Sequence, residues 1–346
     1  MKVLITGATG LLGGYLLQAL QQRGEHIRAL VLPVENAEKL TAQGVEVVRG
    51  DVTDASTLAP ALKDIEIIIH LAGMMGVNRP LADYRLVNVT GSENLYRAAQ
   101  AAGTRRFVHT SSHTVYGLGH GRFLSEQDAL LPDPDPYSIT KTEGDRLIRR
   151  LMLESDVETV ILRPGTFFGP GDRLHFGRMA QRMKSGKGVI IGRGDNALPF
   201  CYVSDVMQGF LLAAYHEKAP GNVYNISNDR PLTQREIFNA IADDVDGIRP
   251  TRHLPYLPIY YGSIVAEKIA SMTHTRPIVT QLGAMMFGTD NRHSVEKARR
   301  ELGYEPRVDI REGLRLAAAW FNAGGMEQPS ITQVSQYVSL GGVKRS

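Results

Sequence analysis

The feature that most constrains the fold of this chain is a glycine-rich turn near its start. The run Lys2–Ile5 predicts a short buried strand, Thr6–Gly13 reads TGATGLLG and predicts a turn, and the leucines and alanines that follow predict a helix. Glycines allow a tight bend, a close approach of phosphate to bare backbone and close packing of helix on strand. The free N–H groups of a helix start favour an anion. The stretch is either a plain strand-to-helix turn or a cradle for a dinucleotide pyrophosphate.

Short apolar runs alternate with helical patterns through the first half of the chain. The predicted elements are strands at Ile27–Leu32, Val45–Val48, Ile65–His70, Phe107–Ser111 and Val160–Arg163, and helices at Arg85–Ala102 and Tyr137–Glu154. The run Ile65–His70 is apolar almost throughout, which is typical of a parallel strand covered on both faces. The alternation predicts an α/β fold with a doubly wound parallel sheet, in which ligands bind at the carboxyl ends of the strands.

The pattern changes after Pro164, where glycines and prolines become frequent and the elements become shorter. Phe200–Val203 and Val223–Ile226 look like strands that return to the sheet, so the second region is interleaved with the first. We predict a dinucleotide-binding domain of residues 1–164 plus the returning strands near 199–226. A smaller substrate-binding region would comprise 165–198 and 227–322, followed by a tail of 323–346.

Composition argues against several classes of partner. The 39 basic and 36 acidic residues leave a net charge of +3 without a long run of one sign, so no nucleic-acid partner is predicted. Cys201 is the only cysteine, and the histidines lack ligand spacing, so we expect no intrachain disulfide, no metal site and a cytoplasmic location. No signal peptide is expected before the first strand. Prolines and charges interrupt the apolar stretch Leu254–Ala270, so no membrane span is predicted.

A tyrosine and a lysine stand four residues apart in a predicted helix. Tyr137 and Lys141 would lie on one face, one turn from each other. A tyrosine ordinarily titrates near about 10, and a neighbouring cation lowers its pKa toward a range suited to proton exchange with an alcohol. Such pairs are common on surfaces. This one gains weight because Ser112 follows a strand at the same sheet edge, where its hydroxyl could bind the reacting oxygen.

Taken together, these motifs resemble those of the extended short-chain dehydrogenase/reductases over roughly residues 1–320. The matching stretches are Thr6–Gly13, Asp51–Asp54, His70–Gly73, Asn88–Gly91, Thr110–Ser112, Val115–Gly117, Tyr137-x-x-x-Lys141 and Arg163–Gly165. The resemblance implies a Rossmann fold and a catalytic group of Ser112, Tyr137 and Lys141. Tyr137 would exchange the proton with the substrate hydroxyl, Lys141 would hold the nicotinamide ribose and lower the tyrosine pKa, and Ser112 would orient the oxygen. A homodimer through helices 85–102 and 137–154 is also implied.

The resemblance further implies that NAD(H) or NADP(H) binds at the strand ends. The expected contacts are Gly7, Thr9, Gly10, Leu11, Leu12, Asp51, Val52, Leu71, Ala72, Gly73, Asn88, Tyr137, Lys141, Pro164, Gly165 and Thr166. Asp51 is equally consistent with a cap or turn residue and with an adenine contact. The second strand ends Val31-Leu32-Pro33, without an acidic or basic discriminator for the ribose, and Glu35 lies beyond it. The choice of cofactor stays open, with NAD slightly preferred.

Departures from the patterns of related enzymes narrow the chemistry. Nucleotide-sugar dehydratases carry acidic residues after the catalytic Ser or Thr, where this chain has His113 and Thr114, so dehydration is disfavoured. Nucleotide-sugar epimerases usually place an Asn and an Arg on the diphosphate, where this chain has Thr166 and Leu198. Each lost charge-assisted hydrogen bond is worth roughly 1.5–3 kcal/mol. A nucleotide sugar would therefore be held poorly.

The second half is more similar to the 3β-hydroxysteroid dehydrogenase branch. The matching stretches are Arg163–Asp172, Gly192–Asn196, Asn225–Thr233, the Pro- and Tyr-rich 254–261 and Lys297–Tyr304. This resemblance implies hydride transfer between the nicotinamide and a secondary alcohol or ketone of a fairly apolar small molecule. The candidate substrate contacts are Met74, His113, Thr114, Phe167 and Phe200. A nucleotide-sugar epimerase and a non-catalytic NAD(P)-binding protein are the alternatives.

Overall fold

The computed structural model describes residues 1–76, 78–273, 275, 277 and 279–327. Strands and helices alternate through the first half, as its sequence pattern predicts. These elements are β1 Lys2–Thr6, α1 Leu11–Gln22, β2 His26–Val31, α2 Glu38–Ala42, β3 Glu46–Arg49, α3 Ala59–Leu62, β4 Ile67–His70, α4 Leu81–Arg85, α5 Gly91–Ala101, β5 Arg106–Thr110, β6 Phe123–Leu124, α6 Pro136–Leu153 and β7 Glu158–Pro164.

The second half contains shorter strands among its helices. These elements are β8 Thr166–Phe168, α7 Phe176–Lys184, β9 Ile190–Ile191, β10 Phe200–Tyr202, α8 Val203–Tyr215, β11 Asn222–Ile226, α9 Gln234–Asp244, β12 His253–Leu254, α10 Tyr256–Thr273, α11 Gln281–Gly288, β13 Arg292–His293, α12 Glu296–Leu302 and α13 Ile310–Asn322. Of the expected tail 323–346, residues 328–346 lie outside the described residues.

Seven strands form one parallel sheet in the order β11-β7-β5-β4-β1-β2-β3. The strand order reverses direction beside β1, because β2 lies on one side of it and β4 on the other. Thr6 at the end of β1 stands opposite Leu30 of β2 and His70 of β4. Loops from neighbouring strands therefore meet at the point where open α/β sheets bind their ligands. The predicted doubly wound α/β fold is confirmed.

Two sequence predictions about single elements are wrong in detail. β11 joins the sheet beside β7, but β10 does not return to it and pairs with β8 instead. The chain leaves β7 at Gly165. The amide of Thr166 donates a hydrogen bond to the carbonyl of Pro199, next to the point where β8 pairs with β10. The helix expected at 85–102 begins at Leu81 and contains a π-turn at Leu86–Thr90.

Apolar side chains cover both faces of the large sheet and form a further core beyond it. α1 and α8 pack on one face, and α5 and α6 on the other. The further core contains Phe168, Phe176 and Phe200 and lies against α7, α9 and α13. α10 differs, because Ser263 and Ala270 are its only buried residues. Among the described residues, no helix has the length and apolar character needed to cross a bilayer.

Candidate active site

The glycine turn between β1 and α1 has the shape that its sequence predicts. Gly7 adopts φ +69°, and a Cβ there would lie 3.0 Å from the backbone of Leu71 and of Ala72. A Cβ on Gly13 would lie 2.4 Å from the carbonyl oxygen of Gly7. Since both contacts are with backbone atoms, neither neighbour can move aside cheaply. The two glycines therefore bring turn, helix and the neighbouring β4 loop into close contact.

The start of α1 fits an anionic group. Gly10 precedes the helix in an extended conformation, and within the described chain no side chain caps the first turn. The N–H groups of Leu11 and Leu12 therefore face outward from the turn, where a pyrophosphate would accept hydrogen bonds from them. Thr9 donates its hydroxyl proton to Glu35, which also accepts a hydrogen bond from the amide of Leu32 at 3.3 Å. A carboxylate thus stands beside the glycine turn although it follows the end of β2 by four residues.

The loop after β4 is fixed by β1 and by the π-turn. The amide of Ala72 donates to the hydroxyl of Thr6 at 3.0 Å. Asn88 accepts from the amide of Met74 at 2.7 Å and donates to Thr140 on α6 at 3.0 Å. This one side chain therefore connects the loop to the helix that carries Tyr137.

Gly73 lies where the loop after β4 meets α6. A Cβ on Gly73 would lie 3.2 Å from the Asn88 side-chain oxygen and 3.4 Å from the Lys141 ammonium nitrogen. Lys141 donates to the carbonyl of Thr110 at the end of β5 at 2.8 Å. The structure therefore brings three of the predicted residues together around a surface of bare backbone. These features fit a dinucleotide laid from the glycine turn toward Lys141.

A chain of hydroxyl groups leads to Tyr137. Thr114 donates to the Ser112 oxygen from both its amide, at 3.2 Å, and its hydroxyl, at 3.0 Å. A side-chain hydrogen bond joins Ser112 to the Tyr137 phenol. Asp135 caps α6 by accepting from the amides of Tyr137 and Ser138, both at 3.0 Å. The cap starts the helix directly before Tyr137 and so sets its position.

Burial is the largest cause of the pKa shifts of Tyr137 and Lys141, the two catalytic candidates. It raises the pKa of Tyr137 to about 12, opposed by the hydrogen bond from Ser112 and assisted by the negative charge of Asp135. Burial lowers the pKa of Lys141 to about 8, opposed by the carboxylate of Asp145. The pKa shift of Tyr137 is opposite to the lowering that the sequence leads us to expect, because desolvation of the phenolate outweighs the hydrogen bond from Ser112.

A buried ion pair supports the site from below. Arg163 and Asp145 are both fully buried and meet at 2.8 Å. Asp145 also accepts from the Ser111 hydroxyl at 2.6 Å, and Arg163 donates to the Tyr116 hydroxyl at 2.8 Å. The Tyr116 hydroxyl in turn donates to Asn225 at 2.7 Å. The network joins α6 to the ends of β5, β7 and β11, and Asp145 is its one member that lies outside the sequence motifs.

Other predicted cofactor residues have packing or turn roles in the structure. Asp51 accepts from the amide of Thr53 at 2.8 Å, which makes it a turn residue. Val52 is buried against Gly91 at the start of α5. A Cβ on Gly165 would lie 2.7 Å from the carbonyl of Pro199, so this glycine allows the chain to pass from β7 to β8. Pro164 is the buried last residue of β7.

The predicted substrate residues divide into two groups. His113, Thr114 and Met74 adjoin the catalytic group through Ser112 and Asn88. Phe200 does not: it packs 5.6 Å from the ring of Phe168 in the further core. Phe167 is half-buried against the core beneath the large sheet. The aromatic residues of β8 and β10 thus pair with each other across a small sheet, which a linear pattern does not reveal.

Two residues near the site were missed by sequence reasoning. His113 bonds through Nε2 to the Thr166 hydroxyl at 3.2 Å, and that hydroxyl also lies 3.1 Å from the Met286 sulfur. The ring of His293 lies edge-on to the ring of His113, at 4.9 Å between centroids. Met286 and His293 belong to α11 and β13, more than a hundred residues beyond His113. Their stretches carry no motif, so sequence offered no signal for them.

Comparison with known proteins agrees with the geometry. A family model described as the NAD dependent epimerase/dehydratase family matches residues 3–227. A 2-alkyl-3-oxoalkanoate reductase of Stenotrophomonas maltophilia is 30% identical, covering 92% of this chain and 99% of its own. A 3 beta-hydroxysteroid dehydrogenase/Delta 5-->4-isomerase of Mycobacterium tuberculosis is 31% identical, covering 90% of this chain and 88% of its own.

A solved structure shares both the fold and moderate sequence similarity. MoeE5 in complex with UDP-glucose and NAD superposes with a TM-score of 0.73 at 26% identity, covering 94% of this chain and 99% of that one. The seven-stranded parallel sheet agrees with this likeness. The chain therefore belongs to the NAD dependent epimerase/dehydratase family, the extended short-chain dehydrogenase/reductases, and is an NAD(P)-dependent oxidoreductase.

Proposed function

We propose that this protein catalyses net hydride transfer between NAD and a secondary alcohol or ketone on a fairly apolar molecule. The observation that carries the proposal is the hydrogen-bonded chain from Thr114 through Ser112 to Tyr137, with the Lys141 ammonium beside Gly73. The relatives support the substrate class, since one is named for a 3-oxoalkanoate and one for a hydroxysteroid. Both names describe a ketone or secondary alcohol on a largely apolar skeleton.

In the proposed reaction, Tyr137 holds the proton that moves. The bound nicotinamide would supply or accept the hydride. During reduction the Tyr137 hydroxyl donates its proton to the substrate oxygen, while the Ser112 hydroxyl holds that oxygen in place. A pKa raised to about 12 keeps the phenol protonated and ready to donate at neutral pH. Lys141 provides the positive charge that stabilises the phenolate left behind.

The positions that distinguish an epimerase favour the oxidoreductase. Leu198 is fully buried in the further core and offers no charge to a diphosphate. Thr166 is also buried, and its hydroxyl is shared between His113 and Met286. The charge-assisted hydrogen bonds that would hold a nucleotide sugar are therefore missing from both positions. Net reduction of added NAD⁺ by the substrate separates the two functions, because an epimerase returns the hydride and leaves no reduced cofactor.

The test is the activity of Tyr137→Phe with NAD⁺ and a panel of sterols, flavanols and aliphatic secondary alcohols. The variant should lose about 10²–10⁴-fold in kcat, because the proton donor is gone. Its affinity for NAD⁺ should stay near that of the wild type in calorimetry. Tyr261→Phe is the matched control, since this tyrosine is 63% exposed on α10. Near-normal turnover by Tyr137→Phe would refute the mechanism.

We further propose that NAD is preferred over NADP through Glu35. Its carboxylate is held beside the glycine turn by Thr9 and Leu32, on the side of β2 where the adenosine ribose lies in this fold. A carboxylate accepts hydrogen bonds from ribose hydroxyls and repels a 2′-phosphate. Glu35→Gln should reduce the ratio of NAD⁺ to NADP⁺ affinity by about tenfold. Glu38→Gln, an exposed charge on α2, is the control and should leave that ratio unchanged.

We also propose a cytoplasmic homodimer and the two-region division at Pro164. The dimer would form through α5 and α6, and light scattering in solution tests it.

The compartment is supported by the single cysteine, Cys201, which is buried and forms no disulfide. Cell fractionation tests the location. Limited proteolysis tests the division, which predicts protection of residues 1–164 when NAD is added.

A further inference from the structure

Two buried histidines beside the catalytic serine have unmet hydrogen-bonding capacity. His113 is 4% exposed and His293 is 2% exposed. His113 uses Nε2 on Thr166, but its Nδ1 has no partner among the described residues, and neither nitrogen of His293 has one. A neutral imidazole carries one N–H donor and one acceptor nitrogen. Leaving such a group buried and unpaired costs about 1–3 kcal/mol.

The two rings are held in fixed positions. They meet edge to face with 4.9 Å between centroids, and the His293 ring also stacks on Tyr116 at 5.9 Å. Tyr116 is held in turn by Arg163 and Asn225. The unpaired nitrogens therefore belong to rings with defined neighbours, and a bound molecule with a hydrogen-bonding oxygen would satisfy them.

The histidine pair adjoins the reacting centre directly. His113 follows Ser112 in the chain, so their Cα atoms are separated by about 3.8 Å. The Ser112 hydroxyl bonds to Tyr137, and the His113 ring bonds to Thr166 at the start of β8. A substrate whose oxygen lies between Ser112 and Tyr137 would thus extend its nearest substituents toward the pair.

The charge of the pair restricts what it can bind. Burial lowers the pKa of His113 to about 4 and that of His293 well below its usual value, so both are neutral near pH 7. The neighbouring His113 and His120 lower the pKa of His293 further, in the same direction as burial. Neutral imidazoles offer hydrogen bonds without a positive charge. They suit a carbonyl, ester or hydroxyl oxygen better than a carboxylate or phosphate.

We propose that His113 and His293 form a second polar subsite, which receives an uncharged oxygen located a few bonds from the reacting carbon of the substrate. This inference rests on the proposed function for the identity of the reacting carbon. It goes further by defining the substrate as bifunctional, for example a β-keto ester or a hydroxyketone on an apolar chain. The subsite orients the substrate against Ser112 and Tyr137 and takes no part in proton transfer.

The test uses two ketones of equal chain length. Ethyl 3-oxohexanoate carries the second oxygen function as an ester beside its ketone. Nonan-4-one has a chain of the same length with the ketone alone. Binding is measured to the protein loaded with NAD⁺, a complex in which a ketone cannot be reduced, so turnover is not needed. The wild type should bind the ester about tenfold more tightly than the ketone, which corresponds to about 1.4 kcal/mol. The anion 3-oxohexanoate should bind less tightly than the ester.

His293→Phe keeps an aromatic ring and removes both nitrogens. In this variant the preference for the ester should disappear, while the affinity for nonan-4-one stays unchanged. His26→Asn, at an exposed position at the start of β2, is the control and should keep the preference. If the wild type binds ester and ketone equally, or if His293→Phe retains the preference, the proposal is overturned. Tighter binding of the anion overturns its restriction to uncharged oxygens.

A second measurement does not depend on any variant. The ring nitrogens of His293, labelled with ¹⁵N, should shift when ethyl 3-oxohexanoate is added to the NAD⁺-loaded protein, and should not shift with nonan-4-one. Equal spectra with both ligands contradict the subsite. If the protein prefers the ester but turns over no alcohol, the proposed function fails. The proposed oxygen subsite would stand in that case.

Discussion

Two buried histidines differ in their hydrogen bonding: His70 on β4 lies on the proposed cofactor side of the site, and His293 on β13 lies on the proposed substrate side. His70, at the end of β4, is 1% exposed and bonds through Nδ1 to Thr6 at 2.8 Å and through Nε2 to Ser92 at 3.0 Å. His293 is equally buried, yet neither of its nitrogens has a partner within the described chain. Both have pKa values lowered well below the usual value by burial.

The difference shows where polar side chains find hydrogen-bond partners within the protein and where they do not. On the proposed cofactor side, His70 joins Thr6 of β1 to Ser92 of α5 through both of its ring nitrogens. On the proposed substrate side, the His293 ring stacks on Tyr116 while its nitrogens have no partner among the described residues, and we propose that they serve a ligand. A protein keeps such groups unpaired at a site whose function requires them. The predictions below test this division.

The largest expected effect comes from the ion pair beneath the site. Asp145→Asn should destabilise the protein by about 3–5 kcal/mol in chemical denaturation, because it leaves Arg163 buried and without its charge partner. Asp243→Asn breaks the exposed pair with Arg249 and should cost at most about 1 kcal/mol. Similar losses in both variants would show that the substrate side is not supported by this network.

The two histidines themselves give the next effect. His70→Phe removes the imidazole partner of the Thr6 and Ser92 hydroxyls, each of which keeps one other hydrogen bond, and each lost bond costs about 0.5–1.5 kcal/mol. His293→Phe removes nitrogens that have no partner among the described residues, so its free energy of unfolding should not fall below that of the wild type. Denaturant titration of both variants measures the contrast. Equal destabilisation would remove the distinction between the two sides.

Lowering the pH should reduce the stability of the protein, because burial keeps His113 neutral in the folded state. The pKa of His113 is about 4 in the folded protein against 6.5 for the free side chain, since burial disfavours the imidazolium. The unfolded chain binds the proton first, so stability contributed by this residue is present above pH 6.5 and falls as the pH drops toward 4. At pH 5 the loss is roughly 2 kcal/mol.

His113→Asn should therefore lose less stability than the wild type between pH 7 and pH 5. Among the described residues, His113 contacts the ring of His293 and the hydroxyl of Thr166, and burial is what lowers its pKa. His26→Asn changes an exposed histidine and should follow the wild-type pH profile. If His113→Asn and the wild type lose the same stability on acidification, the histidine does not carry that cost.

The same division explains what could be predicted from the sequence. The glycine turn, Ser112, Tyr137 and Lys141 lie in short motifs whose local geometry a strand or a helix fixes. The large sheet followed from alternating apolar runs for the same reason. Glu35 was noticed only as lying past β2, because the fold of the loop after a strand decides where its carboxylate points.

The substrate side depends on contacts between distant parts of the chain. His293 meets His113 through the two-residue pairing of β13 with β6, and no periodicity signals strands so short. Phe200 was expected in the substrate site but packs on Phe168, because β10 pairs with β8 and not with the sheet. Burial also reversed the expected direction of the Tyr137 pKa shift. Each of these outcomes follows from tertiary packing, which local patterns do not encode.

The smallest effect tests the rigidity of the cofactor side. Gly7 and Gly24 have nearly the same φ angle, +69° and +73°, but a Cβ on Gly24 would meet nothing within 4 Å. Gly24→Ala therefore measures the cost of a left-handed residue alone, about 1–2 kcal/mol of stability. Gly7→Ala adds contacts at 3.0 Å with the backbone of Leu71 and Ala72.

Because those contacts push the β4 loop away from the glycine turn, Gly7→Ala should weaken NAD⁺ binding by about tenfold, which is about 1.4 kcal/mol. Gly24→Ala should bind NAD⁺ as the wild type does. Calorimetry measures both affinities, and thermal unfolding shows that each variant is folded. Unchanged binding by Gly7→Ala would mean that the loop can move without loss, and the cofactor side would then be no more rigid than the substrate side.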